Sequence, residues 1–91
     1  MNWHSRYAEI DIVALDADTL VFVEVKTRFD DSHGSPEESI IPHKIATLTR
    51  AAYLYSSRHP ELPDRLRIDF VGIDYRDGIV QRINHIPNIT V

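Results

Sequence analysis

Ninety-one residues make one small domain that buries roughly 60–65% of its unfolded surface, which leaves no room for a second domain or a deep substrate cavity. With 43% hydrophobic residues, 26% charged residues and no cysteine, the chain is that of a soluble globular protein, and disulfides, thiolate catalysis and Cys-ligated zinc are excluded. The net charge of −4 argues mildly against a general nucleic-acid binder, but it hides an asymmetry: residues 1–41 carry nine acids and three Lys/Arg, residues 42–91 five acids and seven.

No apolar stretch approaches the roughly 18 residues of a membrane span, and the N-terminus MNWHSRYAEID lacks an apolar signal core. A cytoplasmic protein without a membrane partner is expected. Trp3 and Tyr7 read as core-facing remnants of an apolar strand. Ala8–Leu15 and Leu20–Thr27 are rich in Val, Ile and Phe and predict two strands. The short turn between them predicts an antiparallel hairpin. The run Ile10–Leu15 is nearly continuous in apolar residues and suggests a strand covered on both sides. Residues 29–36, FDDSHGSP, form a loop. Pro42 suits a first helical turn, and Ile45, Leu48, Ala52 and Tyr55 continue it at helical spacing to Ser57. His59-Pro60 ends that helix. Leu66–Tyr75 is a third strand, residues 76–78 a turn, and Ile79–Ile86 a last strand. The helical connection between the second and third strands predicts a parallel pair with a right-handed crossover. The fold class is therefore α/β (α+β), a mixed sheet with a helix against it, in one domain spanning residues 1–91.

Four charges interrupt the first two strands: Glu9 and Asp11, then Glu24 and Lys26. Burying them is costly unless they are paired. An even hairpin loop makes pairing partners sum to 35, which sets Asp11 opposite Glu24 and Glu9 opposite Lys26. The same register collects Ile10, Ile12, Ala14, Val21, Val23 and Val25 on the other face, whereas an odd loop would scramble it. Opposed carboxylates are unfavourable in a bare hairpin. A Mg²⁺ or Mn²⁺ ion removes the conflict, because hard cations take carboxylate oxygens, carbonyls and water. Lys26 beside them could orient or deprotonate a water, the chemistry of metal-assisted phosphodiester hydrolysis. The plainer alternative is a Glu9–Lys26 salt bridge with Asp11 and Glu24 solvated at a sheet edge.

These residues also carry a resemblance. Glu9 to Ala14, Leu20 to Arg28, Pro36-Glu37-Glu38, Lys44, Ala51 to Leu54 and His85-Ile86-Pro87-Asn88 resemble the YraN-type family of uncharacterised proteins. That family belongs to the PD-(D/E)xK group, with its restriction-endonuclease-like and Holliday-junction-resolvase-like fold. The resemblance covers nearly the whole chain. It implies Asp11 as the motif aspartate, Glu24 as the second metal ligand, Lys26 as the catalytic lysine, and the Val25 carbonyl in the metal shell. It also implies a restriction-endonuclease-like core and a Mg- or Mn-dependent endonuclease acting on nucleic acid, DNA before RNA. Two departures are evident: Ala8 stands where the family has glycine, and the family's leading helix, with its glutamate, has no counterpart, as though the chain were N-terminally truncated. Uncovered apolar surface would follow, so a homodimer or other self-association is expected.

Glu9, Lys44 and Arg28 are accessory candidates: Glu9 as a substitute acid, Lys44 as a helix-start cation reaching the scissile phosphate, Arg28 as a phosphate contact or an exposed strand-end arginine. The five histidines (His4, His33, His43, His59, His85) show no paired metal spacing and read as surface or packing residues. Asp69, alternating with Ile68 and Phe70, reads as a solvent-face residue. A non-catalytic nucleic-acid-binding or protein-interaction module, or an inactive truncated relative, are the alternatives to a nuclease.

Overall fold

The computed structural model describes residues 7–29 and 34–90, with backbone alone for residues 7–11. Four strands form one sheet in the order β1-β2-β3-β4: β1 (Tyr7–Asp16), β2 (Thr19–Arg28), β3 (Arg65–Arg76) and β4 (Ile79–Ile86). Among the described residues, a 3₁₀ turn, Pro36–Ser39, and a helix, α1 (Pro42–Arg58), lie between β2 and β3. The class is α+β, consistent with the restriction-endonuclease-like core expected from the sequence.

The β1–β2 register is the even one: Asp11 opposes Glu24, Glu9 opposes Lys26, and Asp16 meets Thr19 across a two-residue turn. β2 and β3 are parallel, with Glu24 beside Phe70 and Lys26 beside Gly72. β3 and β4 are antiparallel, with a bulge at Asp74/Tyr75. Asp77 and Gly78 both have positive φ (51° and 77°), the backbone that a two-residue hairpin of this twist requires and that Asp-Gly supplies. The β1–β2 turn is less well served. Ala17 sits at φ 54°, a left-handed conformation costing an L-residue about 1–2 kcal/mol. Ala17→Gly relieves that cost, less the extra entropy of the unfolded glycine. It is expected to raise stability by about 0.5–1 kcal/mol, read as a higher urea midpoint at unchanged slope.

α1 and the Pro36–Ser39 turn both lie on the sheet face that carries Phe22, Glu24 and Gly72. Pro42 opens the helix, where its missing N–H is no loss. Ala52 is its buried contact, and Tyr55 meets Phe22 edge-on at 5.5 Å between ring centroids. Beneath, Leu20, Ile68 and Phe70 are buried, Phe70 completely. His59 stacks on Tyr55 at 4.3 Å, a packing role of the kind expected of the histidines.

Two expectations are corrected. β1 is an edge strand and, over its described side chains, is not covered on both faces: Ile12, Val13 and Leu15 are exposed by 46%, 41% and 60%. On the α1 face the reason is lateral, since α1 lies over β2 and β3 rather than over Val13 and Leu15. Ile12 lies on the opposite face, on which no helix of the described residues packs. Asp69 is not a solvent-face residue, being 2% exposed. Its Oδ1 accepts from Arg67 Nε (2.9 Å) and the Asn88 backbone N–H (2.9 Å). Its Oδ2 accepts from His85 Nε2 (2.9 Å) and Arg67 Nη2 (3.3 Å). With the Ile89 N–H bonded to the Ile68 carbonyl (2.8 Å), this carboxylate ties the C-terminal segment to β3.

Candidate functional site

β2 supplies the centre of the site. Period-two alternation turns Leu20, Phe22, Glu24, Lys26 and Arg28 to the helix-bearing face, apolar toward the β1–β2 turn and charged toward the far end. Glu24 is only 4% exposed. An ionised carboxylate so placed needs a counter-charge, and α1 brings one: Lys44 Nζ lies 2.9 Å from Glu24 Oε1. The edge-solvated alternative for Glu24 is thereby corrected, because the first turn of α1 closes over it. Lys44→Ala strips this charge and is expected to cost about 1–2 kcal/mol, discounted because Lys44 keeps 32% exposure. Urea melts in the presence of a chelator read this loss.

Register sets positions 11 and 24, and positions 9 and 26, directly opposite each other on this face. The side chains of Glu9 and Asp11 lie outside the described residues, as do Trp3, His4 and His33 altogether. Val25, on the alternate face, opposes Ile10 and Val71. Among the described residues no three His, Asp or Glu side chains group as a metal site. Of the expected donors, the Glu24 carboxylate is the one whose side chain is described, and it is paired with Lys44; carboxylate and carbonyl oxygens are the donors that Mg²⁺ or Mn²⁺ takes.

Arg28 is not an exposed strand-end residue. Its side chain is 14% exposed, with Nε 2.7 Å from Asp74 Oδ1 and Nη1 donating to the Gly34 carbonyl. Asp74 also takes Arg82 Nη1 at 3.2 Å. Arg28 thus builds the wall of the site and anchors the Gly34 loop. A residue that sequence reasoning left without a role completes this wall. Glu37 Oε2 accepts from Arg82 Nη2 (2.9 Å) and Asn84 Nδ2 (3.1 Å). Burial alone would raise the Glu37 carboxyl, but hydrogen bonds from Asn84, its own backbone and Arg82, with the Arg82 charge, hold it below the ordinary carboxylate range. The available signal was Gly72, a glycine inside a strand pattern, which marks a close approach.

Beside Glu24, a cavity of about 170 Å³ opens between α1 and the β1 side of the sheet, lined by Val13, Phe22, Leu48, Ala51, Tyr55 and Ile68 among others. No helix of the described residues is long and apolar enough to cross a membrane.

The model of the uncharacterised protein family UPF0102 matches residues 1–73. A UPF0102 protein of Syntrophomonas wolfei is 46% identical over 87 residues, covering 96% of this chain and 75% of its own length. UPF0102 proteins of Leifsonia xyli and Chlorobium phaeobacteroides are each 40% identical, over 97% and 96% of this chain and 75% and 73% of theirs. The chain therefore spans about three quarters of the length of these relatives. No solved structure matches it.

Proposed function

From the premise that this chain belongs to the uncharacterised protein family UPF0102, we propose that it is a cytoplasmic, metal-dependent nuclease that binds nucleic acid, DNA before RNA, and hydrolyses its phosphodiester bonds. One observation carries the proposal. The hairpin register sets Asp11 against Glu24 and Glu9 against Lys26, on the face where Glu24 is buried beneath α1. Like charges opposed across a hairpin are unfavourable, and their retention at the strand centre is what a cation-binding site requires.

Asp11 and Glu24, with the Val25 carbonyl, would hold Mg²⁺ or Mn²⁺. When bound, such an ion supplies Lewis-acid charge and a water of lowered pKa. Lys26, two residues along the same face, donates to a non-bridging phosphate oxygen and orients the attacking water. Lys44 balances Glu24 before substrate arrives and then lies within reach of the phosphodiester. The Arg28–Asp74–Arg82 network keeps the neighbouring wall rigid, so that these groups need not reorganise during reaction. Self-association through the open β1 side is the accompanying proposal for the assembly.

The test is cleavage of duplex, single-stranded and branched DNA, and of RNA, with Mg²⁺ or Mn²⁺ and with chelator. Metal-dependent cleavage lost in Asp11→Asn and Lys26→Ala is expected. Metal-independent binding without cleavage, unchanged in those variants, would instead favour a non-catalytic binding module.

A further inference from the structure

Glu37 has a relation to the site that its place in a wall does not exhaust. The Pro36–Ser39 turn lays it over Gly72. A Cβ at position 72 would lie 2.7 Å from Glu37 Oε2, so the carboxylate occupies the room a side chain there would take. In the sheet Gly72 stands between Lys26 on β2 and Asn84 on β4, each about 4.8 Å away across the strands. Glu37 Oε2 takes its side-chain donors from β4: Arg82 and Asn84. Oε1 is buried and accepts no hydrogen bond. Buried carboxylate oxygens are seldom left so, and one that is left so calls for an explanation. The flank of Gly72 opposite Asn84 belongs to Lys26.

We propose that Glu37 is a positioning residue for Lys26, with Oε1 the acceptor that steadies the Lys26 ammonium through one water on the side away from β1. Lys26 makes contacts of its own, and Glu37 adds a second fixed direction to them. Position 72 is then glycine because the site needs the carboxylate to descend to the sheet. The inference rests on the proposed nuclease for its effect on rate, while the Lys26–Glu37 relation itself can be read without catalysis.

The chain has two lysines, Lys26 and Lys44, so the ¹³C-dimethyl signals of the reductively methylated, ligand-free protein resolve them, with Lys26→Arg giving the assignment. Glu37→Gln is expected to move the Lys26 signal and leave that of Lys44 in place. Gly72→Ala, which displaces Glu37 without removing its charge, is expected to move the same signal. In cleavage, Glu37→Gln should lower kcat about 10–100-fold at nearly constant KM, the size of effect seen for groups that orient a site residue, and Glu37→Asp should recover part of it. A Lys26 signal unmoved in both variants overturns the inference, as does a loss falling wholly on KM. A native chain that cleaves nothing tells against the nuclease instead, and the methyl signals still decide the role of Glu37.

Discussion

Lys26→Ala is expected to lower Mn²⁺-dependent phosphodiester cleavage by about 10²–10³-fold, the cost of removing one positioned donor to charge that develops in the transition state. The loss should fall on the chemical step. Lys26 is half-buried on the strand that also carries Glu24, two residues along the same face, and under the proposed mechanism it donates to a non-bridging oxygen of the phosphate. Lys26→Arg should restore little of the rate, because the planar guanidinium fork does not reproduce the position of a compact ammonium. Single-turnover cleavage separates the chemical step from binding, and fluorescence anisotropy with Ca²⁺ in place of Mn²⁺ reads affinity. A Lys26→Ala variant cleaving within about twofold of the native chain would remove the lysine from the mechanism, since even the smallest loss expected for such a donor is about 10²-fold.

The largest effect on stability is expected at Asp69. Asp69→Ala deletes a carboxylate that is 2% exposed and leaves Arg67, His85 and the Asn88 N–H without their acceptor. Removing one partner of a buried charge pair costs about 3–5 kcal/mol. Arg67 keeps 27% exposure and a second acid, Asp16, so the lower end, about 3 kcal/mol, applies. That is a large part of the roughly 5–15 kcal/mol by which small domains are stable.

The same carboxylate predicts the pH response. Burial by itself raises the Asp69 carboxyl, yet hydrogen bonds from Arg67, the Asn88 N–H and His85, with the Arg67 charge, bring it below its ordinary value. A carboxyl lowered on folding binds its proton more readily in the unfolded chain, so stability rises with pH across the interval. Its contribution is complete above the unfolded value, about 3.9, and is lost as pH falls through the folded one. Urea midpoints of the native chain should therefore fall below about pH 4, with a shallower fall in Asp69→Ala. Parallel curves for the two proteins in that range would exclude Asp69 as the source.

Most of the hairpin was legible because its alternation admits one register. Shifting it by a residue would have set Asp11 or Glu24 against an apolar partner, and the even pairing is the one found. Pro42 and the His59-Pro60 break marked the ends of α1, and Ile79–Ile86 stands as expected. Asp69 was misjudged because alternation reports which face a side chain takes, not what covers that face. Its donors His85 and Asn88 lie 16 and 19 residues away. Glu37 was missed for the same reason, its partner Asn84 being 47 residues distant. The cover predicted for β1 failed because an apolar run does not disclose the lateral position of a helix. Lys44 was foreseen beside the site, but its pairing with Glu24 depends on how α1 docks.

The pairing order of the sheet bears on how the chain reaches its native state. β1 and β2 close over two residues, Ala17 and Asp18, whereas parallel pairing joins Thr19 to Arg65. Loop-closure entropy grows by about 0.6 kcal/mol for each doubling of length, so the hairpin is favoured to form early and the parallel pair late. In the early hairpin Asp11 already meets Glu24, but Lys44 arrives only when α1 docks. The charges proposed to bind metal thus oppose the first folding step, and the contacts that reconcile them belong to the last.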